Sequence, residues 1–458
     1  MTDAERYRYK WWALTGVCLL AFTAFLDFTI VNTALPFIKA DLHTTIFQLQ
    51  WVANVFAIIL GMTMLAIGKL ADLWGKKNIY YIGSIIFAVA AVGAGWSPNV
   101  QFLIFFRGLQ ALGASVLFIV SGAALTDVFP ENERVRAISI WGGSTGLGLV
   151  IGPFLGGVLV SLLSWRWVFW INLPLIVIGL SLCSFSLKTP NREHPSVKID
   201  WVGFFLLVFG LGSLMYGIIA IAQSEWSSLI GWLFFALGVL SLFSLIFIDL
   251  RKTTPLLSLH IFHEKIISLA ALSCAIGGVV AGVFMFFDPL YLRLLRNISP
   301  LTIGLIIAVI PIAQVLTSLT FNKLLKYSGS ANLLLISCCS GFVGAVLHLF
   351  FGTQTPLIYL ILPFFLLGIN WALSNVAMVT AVNQTLEASK TGEAIGTIAT
   401  IWNVVAALLL ALSTAVFHII ETKSSFLPAF RGAVFLNVIY MGLILLAAFR
   451  VYRSIKNR

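Results

Sequence analysis

Long apolar runs recur from one end of the chain to the other, and nothing else in it constrains the fold as tightly. Read between charged or Pro-, Gly- and Asn-rich breaks, they fall near 12–34, 46–67, 79–97, 102–126, 138–161, 167–187, 201–222, 229–249, 266–291, 301–322, 331–351, 356–382, 394–417 and 431–451. Each approaches or exceeds the roughly 20 residues a helix needs to cross the hydrocarbon layer. Of the 458 residues, 60% are hydrophobic and 10% charged, whereas about a quarter of a soluble globular chain is charged. No soluble core absorbs that much apolar surface. The expected fold class is therefore an all-α polytopic membrane protein with fourteen transmembrane helices.

A formal net charge of +11 would suggest nucleic acid as the partner of a soluble protein. In a membrane chain the placement of Lys and Arg carries topology instead. With a cytoplasmic N-terminus, 21 of the 28 Lys and Arg fall on inner connections and tails, 6 on outer ones, and Arg107 lies inside a span. That bias predicts both termini in the cytoplasm and leaves no case for nucleic acid. The apolar stretch from Trp11 to Pro36 lacks a small-residue cleavage site and reads as a retained first span rather than a signal peptide. The five cysteines (Cys18, Cys183, Cys274, Cys338, Cys339) sit inside apolar segments without ligand spacing, so neither a disulfide framework nor a metal site is expected. Polar seams at Lys188 to Asp200 and Leu250 to Lys265 divide the chain into six spans at 1–187, a linker with a two-helix hairpin at 188–265, and six spans at 266–458.

Several local patterns carry more information. Gly68-Lys69-Leu70-Ala71-Asp72-Leu73-Trp74-Gly75-Lys76-Lys77, between the second and third spans, resembles the loop signature GxLaDrxGrk of the major facilitator superfamily; an ordinary positive-inside turn is the plainer reading, which the ten-residue match outweighs. Arg107-Gly108-Leu109-Gln110-Ala111-Leu112-Gly113 resembles RxxQGxG, with Ala111 in place of the usual glycine. Gly148 followed by Gly152-Pro153-Phe154-Leu155-Gly156-Gly157 resembles GxxxGPxxGG on the fifth span. Leu26-Asp27-Phe28-Thr29-Ile30-Val31-Asn32-Thr33-Ala34-Leu35-Pro36 is similar to LDxTIVNxALP, and Trp165-Arg166-Trp167-Val168-Phe169-Trp170-Ile171-Asn172-Leu173-Pro174 to WRWxFxINxP. The last two are features of the superfamily's fourteen-span drug:proton antiporter branch. The resemblance covers essentially the whole chain and implies two six-helix bundles plus the inserted hairpin. It further implies an inner gate latched by Gly68, Asp72, Gly75 and Lys76, with Asp127, Arg134 and Arg136 as ionic partners. Gly148, Gly152, Pro153, Gly156 and Gly157 would seal the bundle. The Trp-rich WRWxFxINxP segment reads mainly as an interfacial anchor.

A charge inside a span is expensive and needs a partner. Arg107 lies about 9 Å from the outer end of its span and Asp27 about 10 Å from that of the first, at 1.5 Å per residue. Equal depth makes them candidate partners; the alternative is an Arg107 that snorkels outward. Asn32 and Gln110 belong to the same signatures and join the candidates for proton coupling or substrate contact.

The second half departs from the pattern. Its equivalent loop, Phe321 to Gly329, lacks the acid and most glycines. Asp288, before Pro289, is either a second titrating group or an interfacial acid beside Arg293. Asn370, Ser374 and Asn375 on the twelfth span, with Gln314, Asn54 and Asn403, would line a wet, mainly uncharged cavity or bond between helices.

No GxxxxGK[ST] loop is present, so the expected drive is an ion or proton gradient, with no cofactor and no enzymatic chemistry. The expected function is proton-coupled efflux of amphipathic small molecules or drugs across the cytoplasmic (inner) membrane by alternating access, with protons, a small-molecule substrate and the lipid bilayer as partners and a monomer as the unit. The rivals are a dedicated exporter or importer of one metabolite, siderophore or amino acid, and a membrane receptor or scaffold without turnover.

Overall fold

The computed structural model describes residues 9–187, 200–223, 227–252 and 259–456, so most of the first seam and part of the second lie outside it. No strand occurs among the described residues. Thirteen helices are long and apolar enough to cross a membrane: α1 Lys10–Asp41, α2 Ile46–Trp74, α3 Lys76–Gly95, α4 Val100–Val128, α5 Glu131–Leu162, α6 Trp167–Ser186, α7 Trp201–Gln223, α8 Leu229–Asp249, α9 Lys265–Leu295, α10 Pro300–His348, α11 Leu357–Thr385, α12 Ala388–Glu421 and α13 Phe426–Lys456. The count is one below expectation because the runs at 301–322 and 331–351 belong to one helical stretch, α10, of 49 residues. Straight, it would be about 73 Å long, more than twice the hydrocarbon layer. It leaves helical geometry at Gly329, where φ is 73° and ψ 161°.

Local chemistry explains where helices begin. Thr45 and Gln48 form a reciprocal capping box at the start of α2. Asn99 accepts from the Phe102 amide at 3.0 Å to open α4, and Ser228 accepts from Gly231 at 2.9 Å to open α8. Between α2 and α3 the chain turns at Gly75 with φ 87°, the left-handed region that glycine alone enters freely. Gly75 and Gly329 are the two glycines of positive φ among the described residues, and they occupy matching places in the two loops.

Contacts divide the chain into two compact units. The first comprises the described residues of Met1–Ile199 with Ser299–Ala308. In it α1 lies along α5 because Gly148 and Gly156 present no side chain: a Cβ at either would fall 2.7 Å from the Phe22 carbonyl or 2.8 Å from that of Ile30. Pro153 has no N–H, which leaves the Leu149 carbonyl without its usual helical donor. The Thr29 hydroxyl supplies one from α1, at 3.2 Å. On the other side of α5 a Cβ at Gly157 would lie 2.6 Å from the Pro300 carbonyl, so the first turns of α10 pack here.

The second unit comprises the described residues of Asp200–Ile298 with Val309–Arg458. It includes the hairpin, whose α7 packs on α12. Ser241 of α8 donates to the Leu206 carbonyl of α7 at 2.8 Å, and Lys252 closes the base of the hairpin on both oxygens of Asp200 at 2.7 Å.

Candidate functional site

The first unit buries a polar cluster around Asp27. One carboxylate oxygen accepts from Arg107 Nη1 at 2.7 Å; the other accepts from Gln110 Nε2 at 2.9 Å and Asn172 Nδ2 at 3.0 Å. Arg107 is 3% exposed and Asp27, Gln110 and Asn172 are 0% exposed. The same Nη1 reaches Gln110 Oε1 at 2.8 Å, and Nε lies 3.4 Å from the Val52 carbonyl of α2. Phe56 stacks on the guanidinium, its ring centre 4.1 Å from Cζ, and Phe169 lies at 5.9 Å. Four spans thus converge on one ion pair. Arg107 and Gln110 are three apart and share a face of α4, which is why the RxxQ spacing delivers both to Asp27.

Asn172 was missed. The segment holding it reads as an aromatic belt, and its first residues bind the end of α1: Trp165 Nε1 and Arg166 Nη1 both donate to Asp41, at 2.9 and 2.6 Å. Seven residues past Trp165, however, α6 has carried Asn172 into the interior. An uncharged amide entering a span was the signal available. Asn32, in contrast, donates to its own helix at Phe28 (3.3 Å) and does not join the cluster.

At the opposite end of the unit Lys76 Nζ pairs with Asp127 Oδ2 at 2.8 Å and donates to the Ala123 carbonyl at 3.2 Å, joining the turn after α2 to the end of α4. The surroundings of Gly68 and the side chain of Asp72 lie outside what the structure describes. Arg134 Nε turns to the Phe129 carbonyl at 3.2 Å, and Arg136 stacks over Trp11, 5.3 Å from its ring. Lys10, which no signature includes, pairs with Glu133 at 2.7 Å. In the second unit the position matching Lys76 is Ser330, whose hydroxyl lies 3.4 Å from Gln384 Oε1 at the end of α11. The ion pair of the first unit has a neutral counterpart here.

The other second-half candidates divide, Asn370 following the interhelical alternative and the rest staying apart from one another. Asn370 donates to the carbonyl and hydroxyl of Ser337, both at 3.0 Å, tying α11 to α10 as an interhelical bond. Asn375 and Asn403 donate within their own helices, to Trp371 at 3.0 Å and Ala399 at 2.9 Å. Gln314 Oε1 and Asn54 Nδ2 are buried without a hydrogen bond. Asp288 is not an interfacial acid beside Arg293: Arg293 Nη1 turns to the Ile298 carbonyl at 3.3 Å, while Asp288 is fully buried, 3.5 Å from His348 Nε2. The sequence reading overlooked His348, a lone imidazole in an apolar run whose neighbours only the fold reveals.

Comparison with known proteins places this geometry in context. Residues 17–411 match the family model described as Major Facilitator Superfamily. The riboflavin transporter RibZ of Clostridioides difficile is 27% identical over 90% of this chain and 88% of its own length. The multidrug resistance protein Stp of Mycobacterium tuberculosis is 28% identical over 83% and 71%, and multidrug resistance protein 3 of Bacillus subtilis 26% over 76% and 67%. Among solved structures, a bacterial homologue of the lysosomal transporter Spinster superposes with a TM-score of 0.68, 15% identity and 98% of each chain covered. A peptide transporter bound to sulfate gives 0.71, 15%, and 96% and 95%. At those identities the structures attest the fold alone.

Proposed function

Because the chain belongs to the Major Facilitator Superfamily, and so is a multi-pass membrane transporter rather than an enzyme, we propose that it exports amphipathic small molecules in exchange for protons by alternating access. In this reading it is a monomer of the fourteen-span drug:proton antiporter branch, α10 crossing twice about Gly329, and sits in the cytoplasmic membrane with both ends inside. The observation that carries the proton coupling is the set of donors around Asp27. An ionised carboxylate only accepts, and here its two oxygens meet three N–H groups. A proton arriving on Asp27 removes the negative charge that Arg107 pairs with, and loosening Arg107 is the step that would link protonation to a change of shape. Binding a proton and holding Arg107 become alternatives, as an exchanger requires.

The experiment is transport of ethidium in proteoliposomes under an imposed pH gradient. Asp27→Asn, which keeps the shape but cannot ionise, is expected to abolish gradient-driven accumulation while leaving passive binding measurable. Unchanged accumulation would sink the proposal. A second reading, a dedicated carrier of one aromatic metabolite, draws support from the match to RibZ along 90% of this chain. Riboflavin is therefore the first single substrate to test: saturable riboflavin transport with no ethidium transport favours that reading.

A further inference from the structure

A second acid is buried far along the sequence from Asp27, in the other unit. Around it α9 departs twice from α-helical winding, with wider π turns at Val280–Phe284 and Tyr291–Leu295 on either side of Met285–Leu290. Such turns cluster where helices do more than span. Pro289 sits between them without an N–H, so the backbone around Asp288 is held by fewer bonds than an ordinary helix. Asp288 and His348 are both 0% exposed. Neither carboxylate oxygen accepts a hydrogen bond, and the 3.5 Å to His348 Nε2 is an ionic approach too long for one.

The other imidazole nitrogen settles which atom exchanges a proton. His348 Nδ1 lies 2.7 Å from the Gly344 carbonyl, which can only accept, so Nδ1 carries hydrogen. Nε2 is left facing Asp288. It is either a bare lone pair that accepts from a carboxylic acid, or the N–H of an imidazolium beside a carboxylate. Either form holds one proton between the two groups and is neutral overall. Without that proton an uncompensated carboxylate would stand among phenylalanines, and with a second an imidazolium would face a neutral acid; both leave an isolated charge out of water. The His348 ring lies 4.6, 4.4 and 5.4 Å from those of Phe284, Phe351 and Phe364, aromatic surroundings that suit a cation.

Other polar groups near the pair have partners elsewhere. Tyr291 donates to the Gly352 carbonyl at 2.7 Å, Arg296 to the Thr355 carbonyl at 2.5 Å, and Arg431 to the Phe351 carbonyl at 3.0 Å, while Arg293 turns to Ile298. From α12 and α13 the nearest rings are Phe417 and Phe430, packed on Phe287.

We propose that Asp288 and His348 form a second proton-binding site, distinct from the Asp27 cluster, which holds one proton occluded in the aromatic cage and exchanges it only when the second unit rearranges. The role in a transport cycle rests on the proton-linked reading above; the binding of the proton does not.

Infrared titration of the purified full chain tests it with protons as the only ligand. In an Asp27→Asn background, one protonated-carboxyl band that rises and falls with pH is expected; it should vanish in Asp288→Asn and shift its midpoint by about one pH unit or more in His348→Gln. A band unaffected by Asp288→Asn, or an unmoved midpoint in His348→Gln, overturns the site. Should either variant fail to fold, 15N-histidine labelling of the parent chain decides: one imidazole that keeps hydrogen on Nδ1 while its Nε2 signal changes with pH, as a lone pair accepting from the acid where the carboxyl band rises or as an N–H where it does not, supports the pair, and no histidine doing so overturns it.

Discussion

At Arg107 the protein holds a guanidinium where hydrocarbon would otherwise be, and the cost of losing its partner measures the cluster. Arg107→Met leaves the Asp27 carboxylate buried with two amides, which should lower stability by about 3–5 kcal/mol. Adding Asp27→Asn removes the orphaned charge, so the double variant is expected to regain most of the loss in thermal unfolding while remaining inactive. Strictly additive losses would mean that the two side chains are not coupled. Much of this cluster could be read before the fold was known. Two charges at equal depth in separate spans imply each other, and the i, i+3 spacing brings Gln110 along. Asn172 and His348 could not be read that way, because an amide or imidazole tolerates both lipid-edge and interior positions and only tertiary packing assigns it one.

Helices meet here through missing side chains. Gly156 lets the backbone of α1 approach, so Gly156→Ala must push the Ile30 carbonyl aside and should cost about 1–3 kcal/mol. Gly142, on the same helix, has nothing within 4 Å of its added Cβ. There the same substitution should be neutral or stabilising by up to about 1 kcal/mol through helix propensity. A matched pair of melting curves checks both, and equal shifts would refute the packing argument. The GxxxGP pattern disclosed this face because glycines four apart line one side of a helix. Helix ends were less legible. The sequence reading broke the chain between 322 and 331, and the structure puts the break at one residue, Gly329, where two helices meet across a kink; hydropathy marks the interruption but not the residue that makes it.

For the whole molecule, the distribution of Lys and Arg makes a claim about sidedness that labelling can decide. Single cysteines replacing Tyr327 and Lys456 should react with an impermeant maleimide only from the cytoplasm, and those replacing His43 and Lys423 only from outside. Tyr327 is 85% exposed at the bend in α10, so its reaction also reports whether that helix crosses twice. Labelling of the Tyr327→Cys chain from outside and of the Lys423→Cys chain from the cytoplasm would reverse the orientation of the second half, and labelling of both from one side would refute the alternation of its crossings. Apolar content was legible throughout, since every span is long; the grouping of the hairpin with the second unit was not, because α7 and α8 are apolar around most of their girth and composition cannot say which neighbour they choose.

Lys252 and Asp200 close the hairpin at its base, and the packing of α7 on α12 joins it to its unit. Its outer side carries Leu233, Leu240 and Phe243, each more than half exposed to the surroundings. If the proposed alternating access moves this unit, a body so widened displaces more lipid with every swing, and viscous drag and the mismatch between helix length and bilayer thickness enter its kinetics. The membrane would then supply the machine's friction as well as its container, and chain length and fluidity of the surrounding lipids would be determinants of turnover in their own right.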